Sequence, residues 1–245
     1  MTVHQTKAIS FDGDMTLWDF EKVMRHSLNH VLIELRTRLP SSASADLTVD
    51  KMIEIRNEVG QEVKGKVVNL EEIRFRAFVR TIQFIGSEDL ALAAHLNTIY
   101  LKHRFEDVEL YPDVLPTLDA LGHRYKLGLV TNGNSHPERC GLGGRFSFVA
   151  FSQDIGFGKP HQRMFEVACH QAGCTSRELM HVGDSLESDV RGANGVGALS
   201  VWLNRDRTPR GSDIVPDFEI RSLSELRAIL DGNTTASDKT DTGGG

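Results

Sequence analysis

Lys7-Ala8-Ile9-Ser10-Phe11-Asp12-Gly13-Asp14-Met15-Thr16 is the stretch that decides the fold. A short apolar run ends abruptly in two aspartates flanking a glycine, which predicts a strand stopped by a polar turn. Its apolar residues are nearly continuous rather than alternating, as expected for a strand covered on both faces of a parallel sheet. Further stretches repeat the pattern. Leu127 to Val130 leads into Thr131-Asn132-Gly133, and Ser147 to Phe151 is followed by Gly158-Lys159-Pro160. Leu179 to Val182 ends in Gly183-Asp184-Ser185, with Asp189 shortly after, and Ala198 to Leu203 closes the series.

Helical patterns separate these strands. Val114, Leu115, Leu118 and Leu121 form one stripe, closed by Gly122; Phe165, Ala168 and Ala172 form another, opened by Pro160 and closed by Gly173. Ser222 and Glu225 make a capping box ahead of Leu223 to Leu230. Strands alternating with helices predict an α/β fold, a Rossmann-like doubly wound parallel sheet. From Trp18 to about Leu110 only helical periods occur: Leu28, Val31, Leu32, Leu35 and Leu39, then Met52, Ile55, Val59 and Val63, then Ile73, Ala77 and Ile85 among Phe75, Phe78 and Phe84, with a last helix running towards Tyr100. We therefore expect a catalytic core from residues 1–17 and 111–232, an inserted all-helical domain at 18–110, and a disordered polar tail at 233–245, with Pro40 to Ala45 as a polar connection inside the insertion.

Composition excludes several classes of function. The chain has 245 residues, 40% of them hydrophobic and 25% charged, with a net charge of −6. An acidic chain without a Lys/Arg block is not built to grip a nucleic-acid backbone. No run reaches the roughly 18 apolar residues of a membrane span, and Met1 to Lys7 lacks the apolar core of a signal peptide. Cys140, Cys169 and Cys174 are three in number and lack a CxxC spacing, which fits reduced thiols. The expectation is a soluble cytoplasmic protein with neither nucleic-acid nor membrane partners.

The residues that follow each strand carry the chemistry. In an open α/β sheet the ligand crevice lies outside the carboxyl ends of the strands, so Asp12, Asp14, Thr131, Asn132, Lys159, Asp184 and Asp189 should meet at one edge. Several carboxylates, a hydroxyl and an ammonium suit a hard divalent cation beside a transferring phosphoryl group. A carboxylate can attack phosphorus to form an aspartyl-phosphate, and a neighbouring acid can serve the leaving group and then the water. Each signal alone reads as a turn, a helix cap or a surface charge. Their order, each behind its own strand, gives them weight.

On these motifs the chain resembles the haloacid dehalogenase (HAD) superfamily, in the phosphoglycolate-phosphatase-like branch with a helical cap between the first two motifs. The resemblance runs from Lys7 to about Leu230 and includes Tyr111-Pro112-Asp113-Val114 and Trp202-Leu203-Asn204-Arg205. It implies Asp12 as nucleophile and metal ligand, and Asp14 as general acid/base lending its carbonyl to the metal. Thr131 and the Asn132 amide would hold phosphoryl oxygens, and Lys159 would neutralise nucleophile and phosphate. Asp184 would ligate Mg²⁺, with Asp189 a second ligand or an outer partner. The implied activity is an Mg²⁺-dependent phosphatase acting on a small phosphorylated metabolite, such as phosphoglycolate, a sugar phosphate or a nucleoside monophosphate. The sequence departs from the family pattern at Met15, where a glycine is usual, and at Pro160-His161-Gln162 after the lysine.

Rival readings are a phosphomutase, a dehalogenase (against which Asp14 argues) and a non-catalytic binding protein of the same fold. Gly141-Leu142-Gly143-Gly144 lacks the strand and Lys-Ser/Thr of a phosphate-cradling loop and reads as a connection. Asn233-Thr234-Thr235 matches a glycosylation acceptor without a secretion signal to support it. His26 and His30, one helical turn apart, have zinc-binding spacing, yet no Glu stands between them in the metalloprotease pattern, so a helix face is expected. His181 is expected to be a satisfied core histidine, and Trp18 and Phe20 to be packed after the first motif.

Overall fold

A computed structural model describes residues 3–39, 44–64, 66–67 and 69–232. Most of the expected polar connection, the polar tail and the glycosylation match lie outside the described residues. Among the described residues the chain forms two compact units, one comprising the residues up to Trp18 and from Leu110 onward, the other Asp19–Glu109. No helix among the described residues is long and apolar enough to cross a membrane.

The first unit is built on six parallel strands: β1 (Ala8–Phe11), β2 (Lys126–Thr131), β3 (Phe148–Phe151), β4 (Leu179–Gly183), β5 (Leu199–Leu203) and β6 (Phe218–Ile220). Their order is β3-β2-β1-β4-β5-β6, so the first strand lies in the interior of the sheet. The register sets Phe11 beside Leu129 on one side and Val182 on the other, which brings the ends of β1, β2 and β4 level. Burial explains the continuous apolar runs: every residue of β1, β4 and β5 is buried. β6 is a strand the sequence reading does not anticipate. It has three residues with buried Phe218 and Ile220 around exposed Glu219, too short for a periodic signal.

The unit-two helices are α1 (Phe20–Arg38), α2 (Val49–Glu62), α3 (Leu70–Phe84) and α4 (Leu90–Glu106). Each begins at a side-chain cap: Asp19, Thr48, Asn69 and Asp89 accept bonds from backbone N–H groups of the first turn. Their apolar stripes meet in a separate core that contains Leu28, Val31, Leu35, Met52, Phe78, Ile82, Leu96 and Tyr100. Phe84, the last aromatic of the run with Phe75 and Phe78, is 45% exposed at the end of α3 and so is not part of that core.

The remaining helices cover the sheet. They are α5 (Val114–Gly122), the single turn α6 (Ser152–Ile155), α7 (Gln162–Ala172), α8 (Arg191–Val196) and α9 (Leu226–Leu230). Gly173 caps α7 in the left-handed conformation at φ +65°, as the sequence predicts. Pro160 does not open that helix, however. His161 is the N-cap, and its ring accepts from Arg163 N–H. Gly122 likewise lies inside α5, which is capped by His123. The Ser222/Glu225 capping box is present and starts a short 3-10 turn that runs into α9. The edges of the insertion fall one residue inside the expected limits. Trp18 pairs with Leu110 in an isolated bridge, and Tyr111 N–H donates to the Leu17 carbonyl at 3.0 Å, tying the outgoing and returning chains within unit one.

Candidate active site

The end of β1 sets out the first residues. Asp12 N–H donates to the Val182 carbonyl at 2.9 Å, extending the β1–β4 pairing by one step before the chain turns. Gly13 is required by a close approach: a Cβ there would sit 2.8 Å from the Trp18 ring. The Trp18 indole N–H donates to Asp14 Oδ1 at 2.7 Å and thereby orients the second acid of the motif. Met15 takes φ +64° in this turn, a left-handed conformation that explains why glycine is expected at that position.

Lys159 is brought to Asp12 from the β3 side. Its side chain is 1% exposed, and Nζ lies 2.6 Å from both Asp12 Oδ1 and Asp189 Oδ1. The ordinary surface reading of a lone lysine therefore does not hold. The lysine loop is fastened by Asn132, whose carboxamide oxygen accepts from Lys159 N–H at 2.7 Å while its NH₂ donates to the Lys159 carbonyl at 3.0 Å. The Asn132 carboxamide is thus engaged in positioning the lysine. Thr131 Oγ1 accepts from Gly133 N–H at 2.9 Å, closing the turn behind β2.

From β4 come Asp184 and Asp189. Asp184 Oδ1 accepts from the Thr16 hydroxyl over 3.4 Å, and its backbone carbonyl accepts from the Trp202 indole at 2.8 Å. Asp189 is more fully engaged: besides Lys159, it accepts from His181 Nε2 at 3.0 Å and from Ser185 N–H at 3.0 Å. Gly183 leaves room for it, since a Cβ there would lie 2.2 Å from the Asp189 carboxyl group. Of the two roles open for Asp189, these contacts favour the outer partner that holds the lysine.

The charge balance is uneven. Asp12, Asp184 and Asp189 can each offer an oxygen within 4.8 Å of the others, against the single ammonium of Lys159. Burial, reinforced by Asp189 and Asp184 against the pull of Lys159, pushes the Asp12 carboxyl up to about 7. Burial and the neighbouring Asp189 raise Asp184 to about 6. Burial would raise Asp189 too, but Lys159 and His181 outweigh it and hold its carboxyl well below the usual range. Lys159 is raised: burial opposes its charge, and Asp12 and Asp189 overcome that. Such a set of hard oxygen donors with surplus negative charge fits a divalent cation such as Mg²⁺.

Two links escape the sequence reading. His181 is buried as expected, yet it links Ser10 to the site: burial lowers it despite Asp189, so a neutral ring donates from Nε2 and accepts at Nδ1 from the Ser10 hydroxyl 2.8 Å away. The available signal was two polar residues, Ser10 and His181, at paired positions of otherwise apolar strands. Arg205 forms a two-pronged pair with Asp113 at 2.9 and 3.0 Å, donates to the Thr16 carbonyl at 3.0 Å and covers the Tyr111 ring at 4.1 Å. Asp113 also accepts from Ser222 Oγ and Leu223 N–H, each at 2.8 Å. Phe20 belongs to the helical unit, where the Arg104 guanidinium lies 4.6 Å from its ring.

Comparison with known proteins agrees with this geometry. The family model for haloacid dehalogenase-like hydrolases matches residues 6–197. A glyceraldehyde 3-phosphate phosphatase of Methanopyrus kandleri is 32% identical over 91% of this chain and 97% of its own. The crystal structure of a 2-haloacid dehalogenase from Pseudomonas syringae superposes with a TM-score of 0.79 at 29% identity, over 94% of this chain and all (100%) of that one. YfnB from Bacillus subtilis, crystallised with magnesium, gives 0.71 at 26% identity over 92% and 99%. The parallel sheet, the ordered acids behind its strands and these matches together establish that the chain belongs to the haloacid dehalogenase-like hydrolase family.

Proposed function

We propose that the protein is a phosphoric monoester hydrolase that acts on a small phosphorylated metabolite through an aspartyl-phosphate on Asp12. The observation that carries this reading is the Lys159 ammonium bonded at 2.6 Å to Asp12 and Asp189, with Asp184 in the same carboxylate cluster and Asp14 two positions along the motif. The 32% identical phosphatase relative supports it.

In the first step an Asp12 carboxylate oxygen attacks phosphorus and the bond to the ester oxygen breaks. Asp14, oriented by Trp18, gives its proton to the leaving alkoxide. Water then attacks the acyl phosphate, Asp14 takes a proton from that water, and the bond between phosphorus and Asp12 breaks to restore the carboxylate. Lys159 holds the Asp12 oxygen and faces the negative charge that builds on the phosphoryl oxygens. The Thr131 hydroxyl lends a further hydrogen bond to those oxygens. Asn132 acts through the lysine loop, and Asp189 keeps the ammonium in place. Mg²⁺, held by Asp12, Asp184 and the Asp14 carbonyl, would neutralise phosphate charge beside the nucleophile. Magnesium in the YfnB crystal supports that assignment. The helical unit is assigned the role of a cap that selects the substrate.

A dehalogenase reading rests on the Pseudomonas syringae neighbour. Halide leaves without protonation, so a held second acid such as Asp14 has no task in that reaction. The test is phosphate release from a panel of phosphorylated metabolites, with and without Mg²⁺, beside Asp12→Asn and Asp14→Asn. Expected are metal-dependent release, its loss in Asp12→Asn, and a heavier loss in Asp14→Asn on alkyl than on activated aryl phosphates. Undiminished turnover in folded Asp12→Asn refutes the nucleophile.

A further inference from the structure

The helical unit carries a second cluster of metal-ligating side chains, in no way part of the chemistry above. His26 and His30 stand one turn apart on α1, and His103 stands one turn before Asp107, the residue that caps the C-terminus of α4. Residues four apart share a helix face, so each helix contributes a two-ligand edge. Packing of α1 against α4 in the unit's core brings the edges together. The rings of His30 and His103 stack at 3.6 Å with 7° between their planes, and His26 meets His30 edge-on at 4.7 Å. Asp107 Oδ2 lies 3.0 Å from His26 Nε2 and 2.7 Å from His103 Nδ1. One ligand atom from each of the four residues lies within 4.8 Å of all the others.

We propose that His26, His30, His103 and Asp107 form a binding site for a borderline divalent transition metal, Zn²⁺ foremost, that ties α1 to α4. Three imidazole nitrogens and one carboxylate oxygen match the ligand types and number of a tetrahedral zinc centre, and do not suit Mg²⁺ or Ca²⁺, which take oxygen. Bonds of about 2.0–2.1 Å to zinc place ligand atoms about 3.3 Å apart. Ligand atoms that already lie within 4.8 Å of one another are thus about 1.5 Å or less from that spacing. Access is open, since the side chains of His26 and Asp107 are 48% and 38% exposed while that of His103 is 20% exposed. The metal would cross-link the first and last helices of the unit, whose ends run into the two chain crossings at Trp18 and Leu110.

The test uses the full chain, stripped with EDTA and titrated with Zn²⁺ against a chromophoric chelator in excess Mg²⁺, which keeps the hard-oxygen cluster of Asp12, Asp184 and Asp189 from competing. Co²⁺ is titrated in parallel for its visible absorption. The expected result is one Zn²⁺ per chain with a Kd below about 1 µM and intense low-coordinate Co²⁺ bands. His30→Ala/His103→Ala should weaken zinc by about 100-fold or more and abolish those bands, and Asp107→Asn by about 10-fold. His95→Ala, on α4 and bonded to Glu34 instead, should leave affinity unchanged. No wild-type binding tighter than about 10 µM overturns the proposal, as does undiminished zinc affinity in the double variant.

Discussion

Asp184 and Asp189 both follow β4 within a few residues, yet changing each to asparagine should move the stability of the metal-free protein in opposite directions. Asp189 is buried and accepts from Lys159, His181 and Ser185 N–H. Asparagine keeps one oxygen and turns the other into a donor that faces donors. A hydrogen bond to a charged group is worth about 1.5–3 kcal/mol, and breaking a buried pair costs about 3–5 kcal/mol, so the loss should be about 3 kcal/mol. For a protein of this size that lowers Tm by about 6–12 °C. Asp184 has a single long bond from Thr16 among its side-chain contacts, and burial with Asp189 raises it from 3.8 to about 6. Above that pH the folded state carries a strained charge worth about 3 kcal/mol, which partial exposure reduces to about 1–2 kcal/mol. Asp184→Asn should remove that burden and raise Tm by about 2–8 °C at pH 8.

The pH dependence differs as well. A carboxyl raised in the fold supports stability fully below 3.8 and loses that support as pH climbs through about 6, so the Asp184→Asn gain should vanish near pH 4. A carboxyl lowered in the fold stabilises above 3.8, so the Asp189→Asn loss persists from pH 8 down to that range. Urea unfolding in EDTA at pH 8 and near pH 4 reads both. Changes of the same sign at pH 8 would refute the division of this acid pair into a lysine-holding member and a cation-seeking one.

Gly183→Ala should push the Asp189 carboxyl off Lys159, because the new Cβ would fall 2.2 Å from it; a thermal melt within about 2 °C of wild type would contradict that geometry. Met15→Gly should relieve the left-handed backbone at φ +64° and stabilise by up to about 1 kcal/mol in urea unfolding, and a loss of that size would argue against strain there. Asp113→Asn should cost about 2–3 kcal/mol, since it breaks the two-pronged Arg205 pair and weakens the acceptor of Ser222 and Leu223; denaturation curves that overlay would remove the clamp from the account.

Much of this architecture is legible in local pattern, because strands buried on both faces read as unbroken apolar runs and their polar ends mark the crevice. Asp12, Lys159, Asp184 and Asp189 therefore emerge as a group before any coordinates. What stays hidden depends on which residues meet across the chain. Nothing near Asn132 announces that its carboxamide will fasten the Lys159 backbone, and Asp113 and Arg205 are joined only by the fold. β6 is too short to carry a period. The pair His26 and His30 shows half of the four-residue cluster, because the other half is contributed by a different helix.

The interior place of β1 has a consequence for synthesis. Its partners begin at Lys126 and Leu179, so the strand leaves the ribosome roughly 120 residues before anything can pair with it. At about 5–20 residues per second this interval lasts roughly 6–24 s. During it the contiguous helical segment from Asp19 to Glu109 is complete and able to assemble its own core, while Ile9 and Phe11 remain uncovered. The nascent chain thus passes through a stage in which a folded helical body trails from an adhesive β-strand, and that strand is where a holding chaperone would engage.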